Sequence, residues 1–494
     1  MNPRIAKDIR LIALTWAITI ALMIAASALP QIGKGWAVAI AIFGCLTLAA
    51  SIFGGEFSHG TISQLLAQPI DRRRIWREKM TLVALGLASV ILTVVAIEGT
   101  PWFGFVGIVA ACAFCTLPFF TLVGRNTLSG IILSVPIPGI IFLIGALLAL
   151  WLLRPSAGTV NEDRLQFWMN SYFYIVLPAY CAVVFYLGYR RFVNFEVAGR
   201  EQPGVRLPGS VQARVERVAS NLIPAKYRHV RALVAKELHL QHNTMILFLI
   251  FTALQLLGLI CAKLAHVEDA DLFFIVPLFM YVGIIPLVIG SSAIAEENNL
   301  GTRAWHLTLP CSVAFQWFTK LSVVLIAATV FGVAAPLFWV VIGRSIGLLG
   351  SDSFSPPLAL FFCLVFCPPA LLVTFIAFYA SSFSRDTLRA LLTAFAICTG
   401  IVFMVALGGG LFESSSLPQR ISQYSAAGGA IRVLTTGWVL VGLPLSCFLF
   451  LLLRSSFKHF ASLDRRRIWP NLLTVVLSPI LLFFLLLTLA FLIR

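Results

Sequence analysis

The side chains able to do chemistry in this chain concentrate in two short polar segments, Glu56 to Lys79 and Glu297 to Lys320. A membrane enzyme that acts on lipids commonly uses a cluster of acids or histidines at the edge of the bilayer. The nearest approximation to such a cluster in the sequence is the set Glu56, His59, Glu296 and Glu297. No nucleophile and base accompany these residues, so no catalytic residue is predicted.

Other patterns for nucleotide, metal or ion chemistry are absent or weak. The chain has no Gly-x-x-x-x-Gly-Lys-Ser/Thr phosphate loop, so it does not hydrolyse ATP by that route itself. Cys112 and Cys115 have the spacing of a redox or metal motif, but without His or acidic neighbours we expect packing thiols. His239 and His242 supply only two ligands, so no metal site is predicted.

The two polar segments repeat one pattern. Aligned without a gap at an offset of 241 residues, they are identical at seven of 24 positions, namely Glu56/Glu297, Gly60/Gly301, Thr61/Thr302, Leu66/Leu307, Pro69/Pro310, Trp76/Trp317 and Lys79/Lys320. In each copy the Gly predicts a flexible turn, the Thr can cap a short helix, and the Pro breaks that helix. Asp71 and Ser312 align where a new helix begins, and both can cap it. Two ordinary cytoplasmic loops are the alternative interpretation.

Composition places these segments in a membrane protein. Hydrophobic residues make up 60% of the chain and charged residues 11%, with a mean hydropathy of +0.95. A soluble surface normally needs roughly a quarter to a third of charged residues. Since a span takes about 20 apolar residues, we predict an all-α polytopic integral membrane protein with about 13 transmembrane helices. These are near residues 11–29, 35–54, 80–97, 102–123, 128–153, 170–189, 244–263, 271–294, 321–342, 358–380, 388–411, 433–453 and 471–493.

Charge predicts the orientation of these helices. With the N-terminus in the cytoplasm, the inward segments hold 28 of the 36 Lys and Arg residues, as the positive-inside rule requires. The net charge of +16 is therefore mostly a membrane-topology signal, and nucleic-acid binding is not needed to explain it. We expect a multi-pass protein of the cytoplasmic (inner) membrane in contact with membrane lipids. The middles of the spans hold essentially no ionisable residue, which argues against an ion-coupled carrier.

The spans divide into two parallel six-span repeats and one extra C-terminal span. We predict four regions: a first unit at 1–190, a basic cytoplasmic connector at 191–243, a second unit at 244–454, and a basic segment with an additional helix at 455–494. Shorter similarities agree with the repeat. Ala6-Lys7-Asp8 resembles Ala235-Lys236-Glu237, and Arg125-Asn-Thr-Leu128 resembles Arg385-Asp-Thr-Leu388.

The hexapeptide Asp71-Arg-Arg-Arg-Ile-Trp76 recurs unchanged as Asp464-Arg-Arg-Arg-Ile-Trp469. A capping Asp, lipid-facing arginines and an interfacial Trp suit the start of a membrane helix, so an anchor is predicted. Contact of the arginines with a partner protein is the alternative.

The Glu-x-x-x-Gly-Thr, Leu-x-x-Pro and Trp-x-x-Lys pattern, placed between a second and a third span, resembles the membrane permeases of the ABC type-2 exporter superfamily. That resemblance implies that each loop forms a coupling helix docking on a separate ATP-binding-cassette ATPase, with an amphipathic helix before the first span. It implies two copies of this cytoplasmic ATPase, with ATP and Mg bound there and no cofactor in this chain. The positions that match the family pattern are Glu56, Gly60, Thr61, Leu66, Pro69, Lys79, Glu297, Gly301, Thr302, Leu307, Pro310 and Lys320.

The resemblance implies the transport subunit of an exporter, not an enzyme. The apolar pathway suits a hydrophobic or lipid-like substrate better than an ion. Family permeases are typically single six-span units that dimerise, whereas two units are fused here, and the thirteenth span has no counterpart in the first half. Pro136, Pro138-Gly139 and Cys367-Pro368-Pro369 are candidate kinks beside the substrate path, or kinks satisfied by neighbouring helices. An ion-coupled or passive secondary transporter and a lipid-modifying membrane enzyme are the alternative functions.

Overall fold

A computed structural model of the chain describes residues 3–27, 35–58, 60–99, 102–125, 127–152, 162–195, 217, 228–265, 272–302, 311–346, 356–413, 443–461 and 474–475. Its regular secondary structure is entirely helical in this part of the chain. The helices are α1 Pro3–Ser27, α2 Gly35–Ser58, α3 Ile62–Leu66, α4 Arg72–Glu98, α5 Phe103–Gly124, α6 Thr127–Ser134, α7 Pro136–Leu152, α8 Glu162–Val193, α9 Arg228–Leu240, α10 His242–Ala265, α11 Leu272–Leu300, α12 Val313–Thr329, α13 Ala335–Ser345, α14 Pro356–Phe383, α15 Thr387–Glu413 and α16 Leu443–Ala461.

The prediction of an all-helical, polytopic membrane protein is confirmed. Within the described residues, seven helical stretches are long and apolar enough to cross a membrane, and two shorter apolar helices lie at 367–383 and 387–402. Each of the first six predicted spans falls on a described helix or helix pair. Most of the extra span near 471–493 and most of the connector at 191–243 lie outside the described residues, and the four-region division stays a prediction.

Helix α2 is the centre of the first half of the chain and packs against α1, α4, α5 and α6. Small residues make this close packing possible, because they let helix backbones approach one another. At Gly44 an added Cβ would lie 2.2 Å from Cγ2 of Thr19 on α1, so no larger residue fits. At Gly54 it would lie 2.2 Å from Oγ1 of Thr127 on α6.

Helix α11 has the corresponding position in the second half and packs against α10, α12, α14 and α15. Its contact with α14 depends on Gly290, where an added Cβ would lie 2.6 Å from the Thr374 carbonyl oxygen. Both central helices end in the polar loops that repeat in sequence. In each half, therefore, a helix that packs against at least four others leads directly into the polar loop.

Two predicted spans are not straight α-helices. The span predicted at 128–153 divides into α6 and α7 at Val135, one residue before Pro136, because Pro disfavours helical geometry in the preceding residue. The span predicted at 321–342 contains a π-helical segment, Val330–Ala334, between α12 and α13. In contrast, Pro368 and Pro369 stand inside α14 without ending it.

The two halves contact each other through equivalent helices. Helix α7 of the first half packs against α10 of the second, and α15 of the second half packs against α1 and α6 of the first. Phe43 and Phe395 stack across this boundary with ring centroids 3.9 Å apart. The fifth span of each half meets the first span of the other, but the contact between α7 and α10 is much more extensive than that between α15 and α1.

Candidate functional site

A buried group of charged side chains lies at the base of the first polar loop. Lys79 Nζ donates to Asp8 Oδ1 at 2.7 Å and to Glu56 Oε1 at 3.1 Å, and these three side chains are at most 4% exposed. Lys7 Nζ donates to the other Glu56 oxygen at 2.8 Å from a side chain that is 44% exposed. We call Lys7, Asp8, Glu56 and Lys79 the first charge cluster.

Three helices supply this cluster. Asp8 lies near the start of α1, Glu56 in the last turn of α2, and Lys79 in the second turn of α4. A charge taken out of water is costly unless it is paired and hydrogen-bonded. The cluster meets this condition with two cations and two carboxylates, since the exposed Lys7 balances the one net negative charge of the buried Lys79, Asp8 and Glu56.

The second polar loop has the same arrangement. Lys320 Nζ donates to Glu237 Oε1 at 2.6 Å and to Glu297 Oε1 at 2.7 Å, and all three side chains are at most 5% exposed. Lys236 contacts both Glu297 and Glu237. We call Lys236, Glu237, Glu297 and Lys320 the second charge cluster.

The two clusters correspond residue by residue. Glu56 matches Glu297 and Lys79 matches Lys320 at the 241-residue offset, while Lys7-Asp8 matches Lys236-Glu237 at an offset of 229 residues. The sequence similarity between Lys7-Asp8 and Lys236-Glu237 therefore pointed to two of the four residues of each cluster. It did not indicate that Lys7, Asp8, Lys236 and Glu237 contact the loop residues, which is what the structure adds.

The electrostatics of Glu297 show what the second cluster does to a carboxylate. This residue lies past the apolar part of α11, which ends near residue 294. Burial raises the pKa of Glu297, but Lys320 and Lys236 lower it more, so the pKa of the carboxyl lies below its usual value. Glu297 is thus held ionised at neutral pH and serves as a fixed charge.

Both loops begin with the same backbone turn. Gly60 and Gly301 have φ angles of 65° and 68°, in the left-handed region that favours glycine. The amides of Gly60 and Thr61 donate to the carbonyls of Phe57 and Glu56 at 3.1 and 2.9 Å. The amides of Gly301 and Thr302 repeat these bonds with Asn298 and Glu297 at 3.3 and 3.1 Å. This is a Schellman helix end, so the turn expected to be flexible is instead a defined hydrogen-bonded one.

The caps of the helices that follow the loops are confirmed. Asp71 accepts a hydrogen bond from the Arg73 amide at 3.0 Å, and Ser312 accepts one from the Phe315 amide at 3.3 Å. The prediction that the Thr61 side chain caps the short helix is wrong, because this side chain makes no hydrogen bond to α3. The Thr61 hydroxyl donates to Glu56 instead, and thereby joins the first charge cluster. The helix that Thr302 was expected to cap lies outside the described residues.

The remaining predicted loop residues differ in their exposure. Leu66 is half-buried against the core of the first half, and Pro69 is exposed in the turn between α3 and α4. Leu307 and Pro310 lie outside the described residues. The acids Glu56 and Glu297 are both fully buried. The chain's own lysines bind these two carboxylates.

The hexapeptide beginning at Asp71 does not have the predicted lipid-facing geometry throughout. Trp76 was expected at the membrane interface but is buried among Phe53, Phe185 and Phe192. Arg72 donates to the carbonyl oxygens of Val193 and Phe195 at 2.8 and 3.0 Å, where α8 ends. The second copy of the hexapeptide, 464–469, lies outside the described residues.

Further polar contacts fasten the end of α11 to the turn between α14 and α15. Thr387 Oγ1 donates to Glu296 Oε2 at 2.8 Å, and Asn298 Nδ2 donates to the Ser384 carbonyl at 2.7 Å. In the first half, Thr127 lies against Gly54. The resemblance between 125–128 and 385–388 therefore marks a second contact with the loop base, which the sequence did not reveal.

The cysteine pair of α5 is joined by a third thiol. The Sγ atoms of Cys112 and Cys181 are 3.8 Å apart, which links α5 to α8. Among the described residues, no group of three or more His, Cys, Asp or Glu side chains could hold a metal ion. The thiols therefore contribute a helix contact here.

No protein-family model, curated protein or solved structure matched this chain.

Proposed function

We propose that the chain is the membrane permease of an ATP-binding-cassette exporter. It moves a hydrophobic or lipid-like substrate across the cytoplasmic membrane, with ATP and Mg bound by two copies of a separate ATPase subunit. The observation that carries this proposal is the pairing of two polar loops. Each has a left-handed glycine at its start and, at its base, a four-residue charge cluster of zero net charge whose central lysine and two carboxylates are buried.

The proposed architecture is two parallel six-span repeats followed by a thirteenth span. Helices α1, α2, α4, α5, α6 with α7, and α8 form the first unit. Helices α10, α11, α12 with α13, α14, α15 and α16 form the second. Support comes from the reciprocal contacts between the halves, because a two-fold-like arrangement requires that each unit use the same surface on the other.

The two loops are suited to transmit force. Each loop starts at the end of a central helix and leads into another membrane helix, and a buried lysine of that second helix binds the carboxylate at the start of the loop. A force on a loop is therefore transmitted to packed helices and is not absorbed by a flexible linker. Closure of two ATPase subunits would tilt the halves about their shared boundary and open a path there.

The exposed part of the first loop provides the contact surface for the ATPase. Ser63, Gln64, Gln68 and Ile70 are exposed around α3, whereas Leu65 is buried. This gives the short helix a side fastened to the membrane domain and a side open to a partner. In the membrane orientation that we propose, both polar loops, the N-terminus and the connector lie in the cytoplasm.

The test is reconstitution of the purified chain in lipid vesicles, alone and with the ATPase encoded by a neighbouring gene. The chain alone should hydrolyse no ATP above background, and the mixture should form a complex of one chain with two ATPase subunits. ATP hydrolysis by the lone chain, or a neighbouring ATPase that neither binds it nor is stimulated by it, would end this proposal.

A second candidate function is an ion-coupled secondary transporter. The observation that favours it is the burial of the four carboxylates and two of the lysines of the charge clusters within a helical membrane protein, since such residues often relay ions. These charged side chains, however, form ion pairs and lie near helix ends. Such an arrangement suits a fixed contact between helices better than a path that relays ions. Vesicles containing only this chain distinguish the two functions: a pH gradient that drives solute uptake without ATPase subunits would favour the carrier.

A further inference from the structure

We propose that in each half the buried lysine fastens the polar loop to the segment that precedes the apolar part of the first long helix. Residues 3–10 and helix α9 then move together with their loops, and Asp8 and Glu237 are positioning residues for the loops. The role in transport rests on the proposed function, whereas the fastening itself does not depend on it.

The first argument is the position of the acids. Asp8 is 48 residues before Glu56 and 71 before Lys79 in sequence, yet it shares the ammonium of Lys79 with Glu56. Glu237 shares the ammonium of Lys320 with Glu297 in the same way. Each lysine therefore joins a loop-side carboxylate to a carboxylate of the preceding segment. Packing of α1 or α9 against the bundle alone would not require this arrangement in both halves.

The second argument is burial. Lys79 and Lys320 are at most 1% exposed, so water cannot replace a partner that moves away. Separating a buried ion pair leaves an uncompensated charge in a medium of low dielectric constant. The loop and the preceding segment are consequently held together in any state in which the lysine stays buried.

The third argument comes from α9, which is a separate helix from α10. Gln241, at the turn between them, donates to the Ile289 carbonyl of α11 at 3.3 Å and accepts from Ser292 Oγ at 2.9 Å. Helix α9 is thus held to α11 at its C-terminal end and to Glu297 and Lys320 one turn earlier. In the second half the separate helix α9 therefore makes the contact that the continuous helix α1 makes in the first half.

The experiment is amide hydrogen exchange of the full chain in lipid nanodiscs, read at Gly60 and Thr61 and at Gly301 and Thr302. Asp8→Asn removes one charge with little change of shape, far in sequence from the loop amides. We expect exchange at Gly60 and Thr61 to become about tenfold faster or more, because the buried lysine then keeps only one of its two carboxylate partners. Glu237→Gln should act in the same way on Gly301 and Thr302. Unchanged loop exchange in both variants would overturn the inference.

A double variant separates fastening from simple charge balance. Asp8→Asn with Lys79→Met leaves Lys7 and Glu56 as a neutral pair, so thermal stability should return toward that of the parent. If the lysine fastens the loop, exchange at Gly60 and Thr61 stays fast in this double variant. Parent-like exchange would mean that only charge balance mattered, and the inference would fail. Arg74→Gln is the control, because it breaks an exposed pair with Glu78 on the same helix and should leave the loop amides unchanged.

Transport assays then test the role in coupling. With ATPase subunits present, Asp8→Asn and Glu237→Gln should keep ATPase binding while export per ATP falls several-fold. Unchanged export per ATP in both variants would contradict a positioning role. If the parent chain binds no ATPase, the proposed function fails, and the exchange data still decide whether the loops are fastened.

Discussion

The two halves build the same charge cluster on different neighbouring structures. In the first half, Asp8 lies on α1, which continues directly into the membrane. In the second, Glu237 lies on α9, which is separated from α10 at Gln241. Two cations and two carboxylates are nevertheless present in both. The feature that both halves share is thus a joint of zero net charge at the base of each loop, with its central lysine and two carboxylates buried, although different segments of the chain supply its members.

The halves differ more in the other contacts that hold the base of each loop in place. In the first half, Arg72 binds the end of α8. The position equivalent to Arg72 at the 241-residue offset is Val313, which cannot make such bonds. In the second half, Glu296 and Asn298 bind the turn between α14 and α15 instead. A push on the two loops therefore reaches different helices, and the loops should not be interchangeable.

The largest effect is expected for removal of the buried ammonium of the second cluster. Lys320→Met leaves Glu237 and Glu297 facing each other with only Lys236, and should destabilise the chain by about 3–5 kcal/mol. The measurement is thermal or denaturant unfolding in detergent, and Glu237→Gln in the same background should restore part of the loss by removing one excess charge. A Lys320→Met variant as stable as the parent would contradict the buried-joint description.

Arg72→Gln tests the contact found only in the first half. Two charge-assisted hydrogen bonds to carbonyl oxygens are lost, and the expected destabilisation is about 1.5–3 kcal/mol. Limited proteolysis should cut more readily near residue 195, where α8 ends. Arg73→Gln is the matched control, because Arg73 is exposed on the same turn. Equal effects of the two substitutions would show that the Arg72 bonds to α8 do not matter.

Gly60→Ala and Gly301→Ala test whether the two loop turns are equivalent. The space around both glycines is open, so a methyl group meets no atom and only the left-handed φ is penalised, by roughly 1–2 kcal/mol. Asn tolerates this conformation better, so Gly60→Asn and Gly301→Asn should lose less. Export per ATP and unfolding midpoints are measured for all four variants. Full activity of both Ala variants would show that the shared turn is not needed for coupling.

The smallest effect should come from the outermost lysine of each cluster. The Lys7 side chain is 44% exposed and that of Lys236 is 26% exposed. Lys7→Gln should cost at most about 1 kcal/mol, since exposed pairs contribute little and salt screens them. Lys236→Gln should cost more, because it is less exposed and contacts both acids of its cluster. The free energy of unfolding, measured at low and high salt, checks this order. A larger loss of stability for Lys7→Gln than for Lys236→Gln would contradict it.

The sequence by itself determined the class of the protein and the local features of the loops. Apolar segments long enough to cross a bilayer predict membrane helices, because backbone polar groups in lipid must be satisfied within the helix. The caps at Asp71 and Ser312 and the glycine turns at Gly60 and Gly301 were also predictable in position, since caps and turns depend on neighbours a few residues away.

Tertiary structure alone decided the contacts that depend on helix packing. Lys79 meets Asp8 only because α1 and α4 lie side by side, and no local periodicity encodes that neighbour. Trp76 is buried because α2 and α8 pack around it, although its place beside three arginines is typical of the membrane interface. Thr61 likewise binds Glu56 and not its own helix. In each case the free energy of burying a charge or a ring depends on atoms that are distant in sequence, so only the assembled helices could select the partner.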